Sequence, residues 1–330
     1  MALSSTTEFT PVGPDELPVV TTAKSGRRLP RLSLKIVIGL VLLGIFVLMA
    51  IIGPLVAPYD PSAIGPDTLA APSAAHLLGT TNNGQDVLSE LLVGSRATLV
   101  VAFVAGALAT VLSVIFGVTS GYLAGGARGE LLNMLSNVFL VLPLFPLLVV
   151  LTAFLPNASA WIVAVVIAFV GWAWGARVLR ATTLALRNQD FVQAARAVGE
   201  RTWRIILFEI LPNEVAVVAA SFLFTLIAAI ILYTGLIFLG LGNANEWSWG
   251  LILYWAQSEE ALTVGAWWWF IPASLCTALL GTSIGLIGFG IDEFINPRLR
   301  AAGLSRKELR SMSMNEGLTP VYRDSQEAGR

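Results

Sequence analysis

The sequence predicts an all-α integral membrane protein with six transmembrane helices. Three observations carry that expectation. Of the 330 residues, 56 % are hydrophobic and 12 % charged, about half the roughly 25 % charge of a soluble domain. Several apolar runs reach the roughly 20 residues that a helix needs to cross a bilayer. Lys and Arg are distributed unevenly, in alternating rich and empty segments, as expected when positive residues stay on the cytoplasmic side.

The elements follow in chain order. Residues 1–33 are polar and rich in Pro and Thr, and they end in a basic cluster, Arg27, Arg28 and Arg31, with Lys35 just beyond. The apolar run after them is too long for a signal-peptide core, and no small-residue cleavage site follows, so it is expected as a retained first span. The six runs are approximately Ile36–Leu55, Ala97–Leu123, Leu131–Leu155, Trp161–Val178, Val215–Leu241 and Trp267–Ile291. Helix is the expected state, because isolated strands leave backbone groups unsatisfied in lipid. Segments 57–94, 156–160 and 242–266 contain no Lys or Arg. Every basic residue except Arg96 falls in the N-terminal tail, near Arg128, in 177–213 or after Pro297. Both termini are therefore expected on the cytoplasmic side. The expected division is a flexible tail 1–33, a membrane domain 34–300 with an external loop 57–94 and a cytoplasmic loop 180–213, and a flexible tail 301–330.

Within the six runs almost no side chain is ionisable. A charge at mid-bilayer costs about 2.5–3.5 kcal/mol on insertion scales, so membrane proteins keep such groups where they work. Their scarcity argues against a proton- or sodium-driven carrier, leaving open one that holds sodium through backbone carbonyls. Pro143 and Pro146 should kink the third span. Gly117, Gly121 and Gly125, and Gly281 and Gly285, form small-residue faces that suit close helix packing, within this chain or against a second subunit. The lone Cys276 reads as a small buried hydrophobe, and His76, the only histidine, makes no metal site alone. A net charge of −1 says nothing about nucleic acid, and no nucleic-acid partner is expected.

The loop 191–212, FVQAARAVGERTWRIILFEILP, is charged although it lies between two long apolar runs. Asn188 is the expected N-cap of a first short helix; Asp190 near its start and Arg196 near its end suit the helix dipole. Phe191, Ala194, Ala195 and Val198 recur at i, i+3, i+4 and i+7 and predict one apolar face. Gly199 predicts a left-handed stop, Thr202 a cap for a second short helix, and Leu211-Pro212 its end. Such an elbow could dock on another protein through its small residues or lie on anionic lipid.

The spacing Gln193-Ala194-Ala195, three residues, Gly199, nine residues, Glu209-Ile210-Leu211-Pro212 resembles the EAA loop of permease subunits in binding-protein-dependent ABC importers. Gln193 stands where the family usually has Glu, and Glu209 where it has Ile or His. The stretch 72–99, PSAAHLLGTTNNGQDVLSELLVGSRATL, resembles the signature of the C-type permease in dipeptide, oligopeptide and nickel importers. Gly235 to Gly242 with Ser248-Trp249-Gly250, and Asn296-Pro297-Arg298, resemble the same branch.

That resemblance implies a type I ABC importer permease fold with a cytoplasmic coupling helix. The coupling contact to an ATPase would be made by Phe191, Gln193, Ala194, Ala195, Val198, Gly199, Trp203, Glu209, Leu211 and Pro212. Implied partners are a second, B-type permease subunit forming a heterodimer, two ATPase subunits carrying ATP and Mg, an extracytoplasmic solute-binding protein, and membrane lipid. The chain lacks a Gly-x4-Gly-Lys-Ser/Thr phosphate loop, so it is expected to be a non-catalytic subunit with no cofactor or metal of its own. In the external segment, Glu246, Trp247, Trp249, Trp255 and Glu259 are candidates for contact with the binding protein or substrate, and Trp267, Trp268 and Trp269 for an aromatic belt. Peptide is the expected cargo, with oligosaccharide the alternative. An ion-driven carrier or channel, or a membrane scaffold, is the more remote reading.

Overall fold

A computed structural model describes residues 33–155 and 158–295. The expected flexibility of both tails and the Asn296-Pro297-Arg298 motif lie outside the described residues.

Long helices dominate because the runs that form them are apolar throughout and must close their backbone hydrogen bonds internally in lipid. The spanning elements are α1 (Leu34–Val56), α2 (Val87–Tyr122), the pair α3 (Ala127–Val141) and α4 (Leu144–Ala153), α5 (Ala160–Leu186), α8 (Leu211–Phe238) and α10 (Trp267–Ile295). Between them lie α6 (Asp190–Ala197), α7 (Thr202–Arg204), a π-helical turn (Ile205–Ile210) and α9 (Trp249–Ser258). The third span is broken rather than kinked: α3 and α4 meet at 83°. Pro143 occupies the N-cap of α4, where its missing N–H costs nothing.

Several helices outrun the apolar runs. With 36 residues, α2 is about 54 Å long at 1.5 Å per residue, against roughly 30 Å of hydrocarbon. It starts ten residues before the expected boundary and takes in Glu90 and Arg96. Likewise, α8 takes in Glu214. Glu90 and Glu214 are both buried, and both lie outside the six apolar runs, in the extensions of their helices.

The bundle is organised around α2. One apolar cluster joins α2 to α1, α8, α9 and α10 through Phe46, Leu91, Leu226, Trp249 and Leu280. A second joins it to α4, α5 and α8 through Val101, Leu148, Ile167 and Leu236. The small-residue face of α2 is used within the chain. A Cβ on Gly121 would lie 2.7 Å from the Thr183 Cβ on α5. By contrast, no described atom lies within 4 Å of a Cβ on Gly281 or Gly285. Cys276 is partly buried against the first cluster.

Chain ends and loops sort to two ends of the bundle. Lys35 at the start of α1 pairs with Glu293 at the end of α10, 3.3 Å apart, so both lie at one end. Arg180, Arg187 and Arg196 gather where α2 and α5 finish. That end carries the 187–210 loop and is called the elbow end; the opposite end carries 57–86 and 239–266.

Candidate functional site

The elbow is built by local chemistry and then seated by packing. Gln189, not Asn188, occupies the N-cap of α6, with no side-chain cap bond. Asp190 and Arg196 lie in its first and last turns. At its end Gly199 has φ +79°. The Glu200 N–H donates to the Ala195 carbonyl and the Gly199 N–H to the Arg196 carbonyl, which together close a Schellman stop. Arg201, rather than Thr202, is the N-cap of α7; Thr202 is the first helical residue.

Leu211-Pro212 does not end the helix. Leu211 is helical at φ −57°, ψ −40°, and α7, the π turn and α8 run on as one rod from Thr202 to Phe238. The rule against a helical residue before proline is overridden by the π turn. Its widened ring, in which the Leu211 N–H reaches the Ile206 carbonyl, makes room for the pyrrolidine. Asn213 Nδ2 adds a bond to the Glu209 carbonyl at 2.6 Å.

Packing fixes which face of the elbow points inward. Val192, Ile205 and Ile210 are buried with Val118 of α2 and Leu179 of α5, with Ala195 partly buried beside them. Arg196 donates from Nε to the Tyr122 hydroxyl at 3.2 Å, its guanidinium carbon 4.7 Å from the ring centroid. The expected single apolar face is therefore divided. Ala195 turns inward with Val192, which the sequence reading had omitted, while Phe191, Gln193, Ala194 and Val198 stay exposed. Val198 is 79 % and Trp203 54 % exposed.

Trp203 and Phe208 meet edge to face, centroids 6.3 Å apart. With Val198, Gly199 and Arg201 they line a concavity of 580 Å³. Phe208 was not foreseen. The five-residue offset from Trp203 aligns them only because the turn between them is π-helical. Leu211 and Glu209 are half-buried and Pro212 exposed.

At the other end the external candidates separate. Segment 242–266 is not a simple loop, because it folds α9 into the core. Trp249 is fully buried, with its Nε1 donating to the Leu91 carbonyl at 3.1 Å, so it is not a surface residue. A Cβ on Gly94 would lie 3.0 Å from the Ser248 carbonyl carbon, so the glycine lets the α9 backbone approach α2, while Ser248 caps α9 by accepting from the Leu251 N–H. Glu246 accepts from the Ala160 N–H at 2.8 Å and so ties the start of α5. Trp247 donates to Ser62 Oγ at 3.1 Å, and Glu259 accepts from Asn82 Nδ2 at 2.8 Å.

The tryptophans at the start of α10 do not form a uniform belt. Trp267 is exposed, but Trp268 donates inward to the Thr80 carbonyl at 3.2 Å and Trp269 is buried. His76 holds Asp86, the N-cap of α2, through Nδ1 at 3.0 Å and packs on Tyr59.

One buried group at this end escaped the sequence reading. Glu90 falls in the stripe Val87, Glu90, Leu91, Gly94, all buried. An acidic residue at i+3 in such a stripe is the signal that could have found it.

Comparison with known proteins agrees with this architecture. Residues 113–301 match the family described as binding-protein-dependent transport system inner membrane component. Residues 36–72 match the N-terminal TM domain of oligopeptide transport permease C. The oligopeptide transport system permease protein OppC of Bacillus subtilis is 30 % identical over 268 residues, covering 80 % of this chain and 85 % of that one. The dipeptide transport system permease protein DppC of the same organism is 30 % identical over 282 residues, 84 % of this chain and 86 % of its own. OppC of Lactococcus lactis subsp. cremoris is 31 % identical over 232 residues, 70 % and 78 %. A bundle of five to six apolar spanning helices, with an interrupted amphipathic elbow leading into α8, is thus the membrane component of a binding-protein-dependent transport system, and the chain belongs to that family.

Proposed function

We propose that this chain is the C-type permease subunit of an ATP-driven peptide importer and that its elbow is the coupling element. The observation that carries the reading is the divided elbow. Val192, Ile205 and Ile210 anchor it to α2 and α5, while Phe191, Ala194, Val198 and Trp203 are presented outward. Apolar side chains on an exposed, arginine-rich helix pair suit a protein groove. The continuous rod from Thr202 to Phe238 would carry a push on the elbow into the bundle with little slack.

In this reading two ATPase subunits bind ATP and Mg and grip residues 188–212, while a B-type permease completes the pathway. An extracytoplasmic binding protein delivers cargo to the far end. The elbow end and both termini face the cytoplasm, across the cell membrane, with 34–300 as the membrane domain between the two tails. Open glycines on α10 offer a face for the second subunit. Peptide is favoured over oligosaccharide because the relatives at about 30 % identity are named as oligopeptide and dipeptide permeases.

The test is cysteine crosslinking in the assembled complex, with native Cys276 replaced by serine. A cysteine at Val198 should crosslink to an ATPase subunit, and reconstituted vesicles should take up a tripeptide only with ATP. Absence of that crosslink in a transport-active complex, or peptide uptake without ATPases, refutes the reading.

A further inference from the structure

At the far end, Glu90, Trp269, Trp255, Trp247, Glu259 and Asn83 help to line a concavity of 410 Å³. We propose that this pocket binds a primary ammonium group of the transported solute through the Glu90 carboxylate and the tryptophan faces; for a peptide, that group is its α-amine.

The case begins with an unmet bond. Glu90 is 1 % exposed, and its Oε2 has no hydrogen-bond partner among the described residues. Trp269 is 3 % exposed, and its Nε1 is likewise unpartnered. A buried carboxyl oxygen left without a partner costs free energy, and a bound ammonium group would supply the missing donor. The lining includes no Lys, Arg or His, and segments 57–94 and 242–266 contain neither Lys nor Arg.

The nearest acid adds to the demand rather than meeting it. Asp86 is spent on His76 at 3.0 Å and on the Ser89 N–H and hydroxyl at 2.8 and 2.7 Å. Glu259, held by Asn82 at 2.8 Å, puts a second carboxylate on the wall.

The same lining selects the kind of cation. Indole faces attract ammonium groups, and the amide and hydroxyl side chains of Asn83, Gln85, Asn245 and Ser62 on the same lining can accept further N–H bonds; no group of three or more His, Cys, Asp or Glu that could hold a metal ion occurs among the described residues. The volume lies within the usual 300–1,000 Å³ of small-ligand pockets. The ammonium site stands on these residues alone; only the identification of the amine with a peptide terminus rests on the import reading.

The test uses the assembled complex in nanodiscs, titrated with trialanine, N-acetyl-trialanine and propylammonium, with tryptophan fluorescence as readout. The free-amine probes should bind and the acetylated one should not. Glu90→Gln should weaken the free-amine probes about tenfold or more, the loss of one hydrogen bond to a charged group, and Trp255→Leu should weaken them as well. Should Glu90→Gln fail to assemble, Trp255→Leu and Glu259→Gln carry the comparison.

Equal binding of free and acetylated probes, or indifference to these substitutions, overturns the site even where tripeptide uptake continues. Propylammonium binding that depends on Glu90 in a complex importing no peptide upholds the site and refutes the peptide reading instead. If Glu90→Gln loosens the permease pair or the binding protein without changing amine selectivity, the cation is a partner's Lys or Arg, and the proposal falls.

Discussion

Replacing Gly199 with valine perturbs the elbow where the backbone alone sets its shape. Gly199 sits at φ +79°, and no described atom lies within 4 Å of a Cβ built there. The Cβ therefore meets no neighbour, and the cost set by the backbone is left-handed strain, about 1–2 kcal/mol for an L-residue and toward the upper end for a β-branched one. That is a factor of about 5–30 in the equilibrium between the bent elbow and alternatives without the Schellman stop. The bundle core is remote from the change, so assembly should persist while transmission falters. In reconstituted complex, ATPase stimulation by the loaded binding protein and ATP-dependent uptake should fall in the order Gly, Asn, Ala, Val, because asparagine visits the left-handed region most readily after glycine. Wild-type stimulation and uptake in Gly199→Val would refute the reasoning. A loss in Gly199→Asn equal to that in Gly199→Val would show that a side-chain contact, not the backbone, sets the requirement.

Trp203→Ala and Phe208→Ala should shift the stability of the chain by no more than about 0.5 kcal/mol, as exposed positions do, yet lower ATPase capture in a pull-down. Ile205→Ala, at a buried anchor, should cost about 2–5 kcal/mol and lower both capture and melting temperature. Gly121→Leu forces a side chain against Thr183 on α5 and should cost about 1–3 kcal/mol by overpacking. Gly281→Leu, with open space, should leave the melting of the isolated chain unchanged. Thr183→Val removes the 2.7 Å bond to buried Glu214 and should destabilise by about 1–3 kcal/mol, whereas Thr183→Ser should keep most of it; denaturant or thermal unfolding in detergent reads both.

The large features were legible because they depend on single-residue properties summed over long windows. Mean apolarity marked the six runs, and Pro143 marked the break between α3 and α4. Gly199 announced the left-handed stop because few other residues adopt that conformation without strain. What failed were expectations that depend on a neighbour. Asn188 had the right chemistry for a cap but lost the position to Gln189 by one residue. Proline at 212 read as a terminator because nothing local reveals that a π turn will absorb it. Segment 242–266 read as an external loop, although Ser248 caps α9 and Thr98 Oγ1 accepts from the Trp249 N–H.

Resemblance to a known family supplied the permease; composition and spacing were enough to establish a multi-helix membrane protein with a bent amphipathic insert before its fifth span. Those properties follow from transfer free energy and backbone geometry, which act residue by residue. Which side of α6 faces the bundle, the burial of Trp249, and the meeting of Glu90 with Trp269 from 179 positions later in the chain required the packed bundle. Each arises from close packing between distant segments, where a few tenths of an ångström select one rotation of a helix over another.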